Sequence, residues 1–129
     1  MSERKKSNIL IIDNDEGVVR AIATRFNSLG YTCALARTGA QGLAAFGAGP
    51  IDLVITDLNM PVLDGVGFIE TIRGFSDVPI IVVTGFQKEY HDQVNQLHNV
   101  SVLVKPFRTE SLVDLVQDQL SLSPRRVAA

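Results

Sequence analysis

Short apolar runs alternate with helix-period segments along the whole chain. Ile9–Ile12, Tyr31–Ala36, Ile51–Thr56, Ile80–Val83 and Val100–Val104 are nearly continuous stretches of Val, Ile and Leu or their small apolar neighbours. Runs of this length without polar alternation predict strands buried on both faces, as in a parallel sheet. Between them the spacing changes to that of helices. Val18, Ile22, Phe26 and Leu29 fall on one helical face, and Gly30 suits the turn that closes it. Thr38 is placed to cap a short helix through Phe46, although Gly39, Gly42 and Gly47 weaken it. Gly65–Arg73 predicts a helix with Phe68, Ile69 and Ile72 facing inward and Gly74 stopping it. Lys88–His98 predicts a weak helix whose apolar stripe is Tyr90, Val94 and Leu97. Glu110–Leu120 predicts a better one, with Leu112, Leu115, Val116 and Leu120 on one face. The pattern is a (βα)5 alternation, which folds as an α/β domain with helices on each side of a five-stranded parallel sheet.

Composition agrees with that picture and narrows the function. The chain has 129 residues, enough for one domain with a sizeable core. Hydrophobic residues make up 46% and charged residues 20%, a globular balance. The net charge of −2 gives no general attraction to nucleic acid or to an anionic membrane. No apolar stretch approaches a membrane span, and the run after the charged Met1–Lys6 is too short for a signal peptide, so a cytoplasmic location is expected. Cys33 has no partner for an internal disulfide and is read as a buried, inert thiol. His91 and His98 are read as surface residues, and Arg125-Arg126 as solvated charge.

Four of the apolar runs end on, or are followed by, a polar residue: Asp13, Asp57, Thr84 and Lys105. If the runs are parallel neighbours, all four side chains gather at one edge of one sheet, where ligands bind in open α/β folds. Two carboxylates so close repel, and a divalent cation or a shared proton is expected between them. Mg2+ suits oxygen ligands and is commonly held by one or two carboxylates plus phosphate. An ammonium and a hydroxyl beside the pair equip the edge to receive a phosphoryl group, for which aspartate is a competent nucleophile.

At these residues the chain resembles the receiver domain of two-component response regulators. The matching stretches are Leu10-Ile11-Ile12-Asp13-Asn14-Asp15, Thr56-Asp57-Leu58-Asn59-Met60-Pro61 with Asp64-Gly65, Val83-Thr84-Gly85 and Val104-Lys105-Pro106-Phe107. Together they span residues 7–121, with 1–6 and 122–129 as flexible tails. The resemblance implies a flavodoxin-like sheet of strand order 2-1-3-4-5. It implies that Asp57 accepts a phosphoryl group from a sensor histidine kinase or phosphotransfer protein. Asp13 and Asp57 would bind Mg2+ with the backbone carbonyl of Asn59, and Asn14 occupies a further metal-facing position. Thr84 would follow the phosphoryl group as a switch hydroxyl and Lys105 would pair with it. The domain would then be a phosphoacceptor rather than a turnover enzyme. Its expected partner surface, which also serves self-association into a homodimer, is the fourth helix, fifth strand and fifth helix. Both a stand-alone regulator and a receiver joined to a covalent output domain fit the chain. No direct contact with nucleic acid or membrane is expected.

Two positions depart from the family. Its two adjacent acids after the first strand become Asp13-Asn14 here, and an uncharged amide is expected to weaken Mg2+ binding. Asp15 is a candidate to substitute for the missing acid, and its other reading, the one preferred, is an N-terminal acid of the first helix. Three residues before the lysine, where the family often carries Tyr or Phe, stands Val102, which has no ring to swing. Phe86 replaces a residue often polar in the family, two positions after the threonine. Two rivals stay open. One is a degenerate receiver that binds partners without phosphorylation. The other is an aspartate-nucleophile phosphatase, opposed by Asn59 where that chemistry wants a second aspartate. The absence of a Gly-rich phosphate loop after the first strand excludes a nucleotide-binding domain of that type.

Overall fold

The computed structural model describes residues 7–57, 65–85 and 97–122. Five strands and four helices follow one another: β1 (Asn8–Ile12), α1 (Glu16–Ser28), β2 (Thr32–Ala36), α2 (Gly39–Ala48), β3 (Leu53–Asp57), α3 (Gly65–Arg73), β4 (Ile80–Thr84), β5 (Val100–Val104) and α4 (Thr109–Leu122). The strands form one sheet of order β2-β1-β3-β4-β5, every pair parallel. The helix expected over 88–98 falls outside the described residues except for Leu97 and His98, which lie in a bend and a turn. The tail residues 1–6 and 123–129, with Arg125-Arg126, also lie outside them. The last helix runs to Leu122, one residue into the stretch expected as a tail.

Strand residues alternate strictly between two cores. Ile9, Ile11, Leu53, Ile55, Ile81 and Val83 pack with Val19, Ile22 and Phe26 of α1 and with Leu112 and Val116 of α4. Leu10, Ile12, Val54, Ile80 and Val82 pack on the other face with Phe68, Ile69 and Ile72 of α3. Two-sided burial of β1, β3 and β4 is why these strands read as unbroken apolar runs, whereas the edge strands β2 and β5 are only partly buried.

Local chemistry explains where the elements stop. Asp15 caps α1, its carboxylate accepting the Val18 amide. At the other end Gly30 adopts φ 99°, a left-handed conformation that a side chain would strain. Its amide bonds the Asn27 carbonyl while the Tyr31 amide bonds Phe26, the paired closure of a Schellman motif. Tyr31 is thereby claimed by the helix end, packs edge-on against Phe26, and leaves β2 to begin at Thr32. Thr38 caps α2 as expected, accepting the Gln41 amide. The glycines of α2 do not prevent the helix. Gly42 is there because a Cβ would meet Ile12 Cδ1 at 2.5 Å and Phe68 Cε1 at 3.1 Å, so the helix lies directly on β1 and α3.

β3 begins at Leu53, two residues later than expected. Asp52 is spent as a clamp: its amide donates to the Asn8 carbonyl and its carboxylate accepts the Asn8 amide, both at 2.8 Å. The strand runs one residue further than expected, and Asp57 is its last member.

Candidate functional site at the carboxyl edge of the sheet

Asp57 pairs in register with Val83 and follows Ile55 by two residues, so strand alternation sends its side chain to the α1 and α4 side of the sheet. Asp13 and Lys105 lie just past their strands, yet each is held by one more ladder-like bond. The Asp13 amide donates to the Ala36 carbonyl at 3.2 Å, and the Lys105 amide donates to the Thr84 carbonyl at 2.7 Å. The Lys105-Pro106 peptide bond is cis. Three strand ends thus deliver three charged groups to one point.

There the Lys105 ammonium donates to Asp57 Oδ2 at 3.2 Å and reaches Asp13 Oδ2 at 3.5 Å. Asp13 and Asp57 are 2% and 6% exposed, while the Lys105 side chain keeps 34% of its surface. The ammonium is therefore the solvent-facing member of the cluster. The second Asp13 oxygen accepts the Asp15 amide at 3.0 Å. Burial pushes the Asp13 carboxyl above its ordinary range. The Asp15 amide and the Lys105 charge oppose that rise without cancelling it, and the charge of Asp57 adds to it. For Lys105 burial works against the charged form, but the charges and hydrogen bonds of the two aspartates outweigh it and hold its pKa above the usual value.

Thr84 ends β4 and is 3% exposed. It pairs in register with Val104, and alternation places it on the face of Val82 and Val102 rather than on that of Asp57. It stands beside the charged cluster, at the same edge, but belongs to the other side of the sheet. Asn14 is exposed at the mouth of the site. The carboxylate of Asp15 is engaged as the cap of α1, as expected. Asn59, Asp64 and Phe86 lie outside the described residues, as do Tyr90, His91 and Val94. His98 is exposed, as expected of a surface residue, and sits 3.9 Å from Asp77. Cys33 is half-buried, and burial pushes its thiol up to about 11, consistent with an unreactive group.

One residue next to the site had no role assigned from the sequence. Thr56 is fully buried in the middle strand, and its hydroxyl donates to the Asp57 carbonyl at 3.0 Å. The signal was available as a hydroxyl in an otherwise apolar run, but threonine is so common in strands that it carries little information alone.

Among the described residues no third carboxylate, imidazole or thiol joins the pair to make a larger metal-binding group. Two neighbouring buried carboxylates still fit a hard, oxygen-seeking cation, which is commonly held by one or two such groups.

The fold and this edge define a small doubly wound α/β domain with an acidic, lysine-paired site at its topological switch point. The family model described as "Response regulator receiver domain" matches residues 9–117. A "Probable transcriptional regulator ycf27" of Cyanidium caldarium is 34% identical over 119 residues, covering 91% of this chain and 47% of that protein. The "Transcriptional regulatory protein GlrR" of Escherichia coli is 32% identical over 122 residues, covering 92% of this chain and 27% of its own length. The chain therefore spans about half or less of these curated relatives. Among solved structures, the chemotaxis response regulator CheY4 of Vibrio cholerae superposes with a TM-score of 0.81 at 26% identity, covering 88% of this chain and 98% of that one. The Francisella response regulator 1452 receiver domain also superposes at 0.81, with 22% identity over 90% of this chain and 98% of its own, a likeness of fold. The chain belongs to the response regulator receiver domain family of two-component signalling.

Proposed function

We propose that this domain is a Mg2+-dependent phosphoacceptor, with Asp57 as the residue that carries the phosphoryl group. The observation behind it is the Lys105 ammonium held within 3.5 Å of two buried carboxylates that come from different strands. A structural ion pair needs one carboxylate. The second is a cost unless a cation or a phosphoryl group is to be received there.

The donor would be the phosphohistidine of a sensor kinase or of a phosphotransfer protein. An Asp57 carboxylate oxygen attacks the phosphorus, the P–N bond breaks, and the imidazole leaves with the bonding pair and takes up a proton. The product is an acyl phosphate on Asp57. Positioning and charge neutralisation carry most of such a transfer. Lys105, already 3.2 Å from Asp57, pairs with the arriving oxygens, and the Thr84 hydroxyl, at the same edge but on the other face, would turn toward them as the switch. Asp13, Asp57, the Asn14 amide and the Asn59 carbonyl would hold Mg2+, which when bound neutralises charge on the phosphoryl oxygens. The output is a changed partner surface or a changed contact with a covalent output domain, as the longer transcriptional regulators among the relatives suggest. We place the domain in the cytoplasm, in keeping with the absence of any membrane-spanning helix among the described residues.

The test is intact-mass measurement after incubation with acetyl phosphate and Mg2+. One phosphoryl adduct is expected on the wild type and none on Asp57→Asn. A wild type that stays unmodified while folded would favour a receiver that works by binding alone, a reading to which Asn14 lends some support.

A further inference from the structure

Thr56 places a hydroxyl where the rest of the middle strand is apolar. It is 0% exposed, and its neighbours in register are Ile12 and Val82, themselves 1% and 0% exposed. Strand alternation sets it in the core with Val54 and Phe68, on the face opposite Asp57. A buried hydroxyl costs stability unless it is hydrogen-bonded, and valine would fill the same space at no such cost. The bond that satisfies it runs neither across the sheet nor to the neighbouring helices. It goes to the carbonyl of the next residue, Asp57, at 3.0 Å.

That carbonyl belongs to the peptide by which the chain leaves β3. Its orientation is the ψ torsion of Asp57, and the backbone torsions limit which rotamers the Asp57 carboxylate can adopt. The carboxylate must meet the Lys105 ammonium at 3.2 Å on one side and an incoming phosphorus on the other. We infer that Thr56 is a positioning residue for the phosphoacceptor: its buried hydroxyl orients the Asp57 peptide and thereby aims the Asp57 carboxylate. The inference rests on Asp57 being the phosphoacceptor. Thr56 touches no phosphoryl group. It acts from the far side of the sheet, fully buried between two apolar strands.

The experiment compares wild type, Thr56→Val and Thr56→Ser, each as the full chain. Phosphoryl incorporation from acetyl phosphate with Mg2+ is followed by time-resolved intact mass, and thermal unfolding is measured alongside. Thr56→Val, nearly isosteric and lacking only the hydroxyl, is expected to accept the phosphoryl group at least about fivefold more slowly, since small misplacements of reacting groups are costly. Its melting temperature should be equal to or above that of wild type. Thr56→Ser keeps the hydroxyl, loses a methyl, and should recover most of the rate despite a lower melting temperature. Rate and stability moving in opposite directions across the pair is the signature of positioning. Equal rates in wild type and Thr56→Val would overturn the inference, as would a Thr56→Ser rate no better than that of Thr56→Val. If Thr56→Val does not fold, Thr56→Ala against Thr56→Ser makes the same comparison, with equal rates again overturning it. A wild type that takes no phosphoryl group at all would overturn the phosphoacceptor assignment itself, and the inference with it.

Discussion

The Asp15 carboxylate accepts the backbone amide of Val18 at 3.2 Å, and that bond makes Asp15 the N-cap of α1. The residue beside it, Asn14, is exposed and uncharged. The described part of the site therefore has two carboxylates, Asp13 and Asp57, faced by one ammonium.

Restoring a charge at Asn14 should strengthen cation binding. Charges about 4 Å apart interact by up to about 4 kcal/mol near a protein surface, and water returns part of any loss. Asn14→Asp is expected to tighten Mg2+ by roughly tenfold, about 1.4 kcal/mol. Calorimetric titration of Mg2+ into both proteins decides it, and equal affinities would refute the idea.

Asp13 pays for its position in the metal-free protein. Its folded pKa lies above the ordinary carboxylate value of 3.8, chiefly through burial, so folding favours the neutral form. The sign follows: stability associated with the protonated group is fully present below the ordinary value and is lost as pH rises above it through the raised folded value. Asp13→Asn keeps an acceptor for the Asp15 amide without the charge. Without Mg2+, the variant should melt higher than wild type at pH 7, and the gap should close as pH falls toward 4. Adding Mg2+ at pH 7 should raise the wild-type midpoint more than that of the variant. Melting curves across that range, with and without Mg2+, are the check.

At the opposite end of the sheet Arg73 is a structural clamp. Its guanidinium donates to the carbonyls of His98, Ser76, Val78 and Asn99, at 2.6–3.0 Å. This joins the end of α3 and the entry to β4 to the turn that precedes β5. Arg73→Met keeps the stem and leaves partly buried carbonyls without their donor. A loss of about 2 kcal/mol in denaturant unfolding is expected. Phosphoryl incorporation per folded molecule should not change, because the cluster of Asp13, Asp57 and Lys105 lies at the other end of the strands.

Cys33 is the chain's one thiol, and its pKa of about 11 leaves almost no thiolate at neutral pH. Alkylation by iodoacetamide at pH 7.5 should be many times slower in the folded protein than in denaturant. Rates within a factor of about two would contradict this burial.

The alternation of apolar runs and helix-period segments was legible because the inner strands β1, β3 and β4, buried on both faces, leave almost no polar positions to blur them. All five strands and the four described helices lie where the spacing puts them, with ends moved by one or two residues. Those shifts come from partners distant or local that periodicity does not register. Tyr31 was drawn from β2 by the closure of α1, and Asp52 from β3 by the amide of Asn8. Gly42 looked like a weakness in α2 until Ile12 and Phe68 appeared against it. Strand order and the family came from motif resemblance, not from periodicity, which is blind to which strand neighbours which.

The sequence by itself determined which residues end strands, and hence that Asp13, Asp57, Thr84 and Lys105 share one edge. That follows from chain direction, since every strand in a parallel sheet ends on the same side. Only the tertiary structure decided how those four divide. Register and alternation bring Asp13, Asp57 and Lys105 together on the α1 and α4 side and assign Thr84 to the other face, beside Val102. It also decided that Asp15 caps a helix and that the Thr56 hydroxyl meets the Asp57 carbonyl. Such assignments depend on hydrogen bonds a few ångströms long, and those exist only once the strands have been laid side by side.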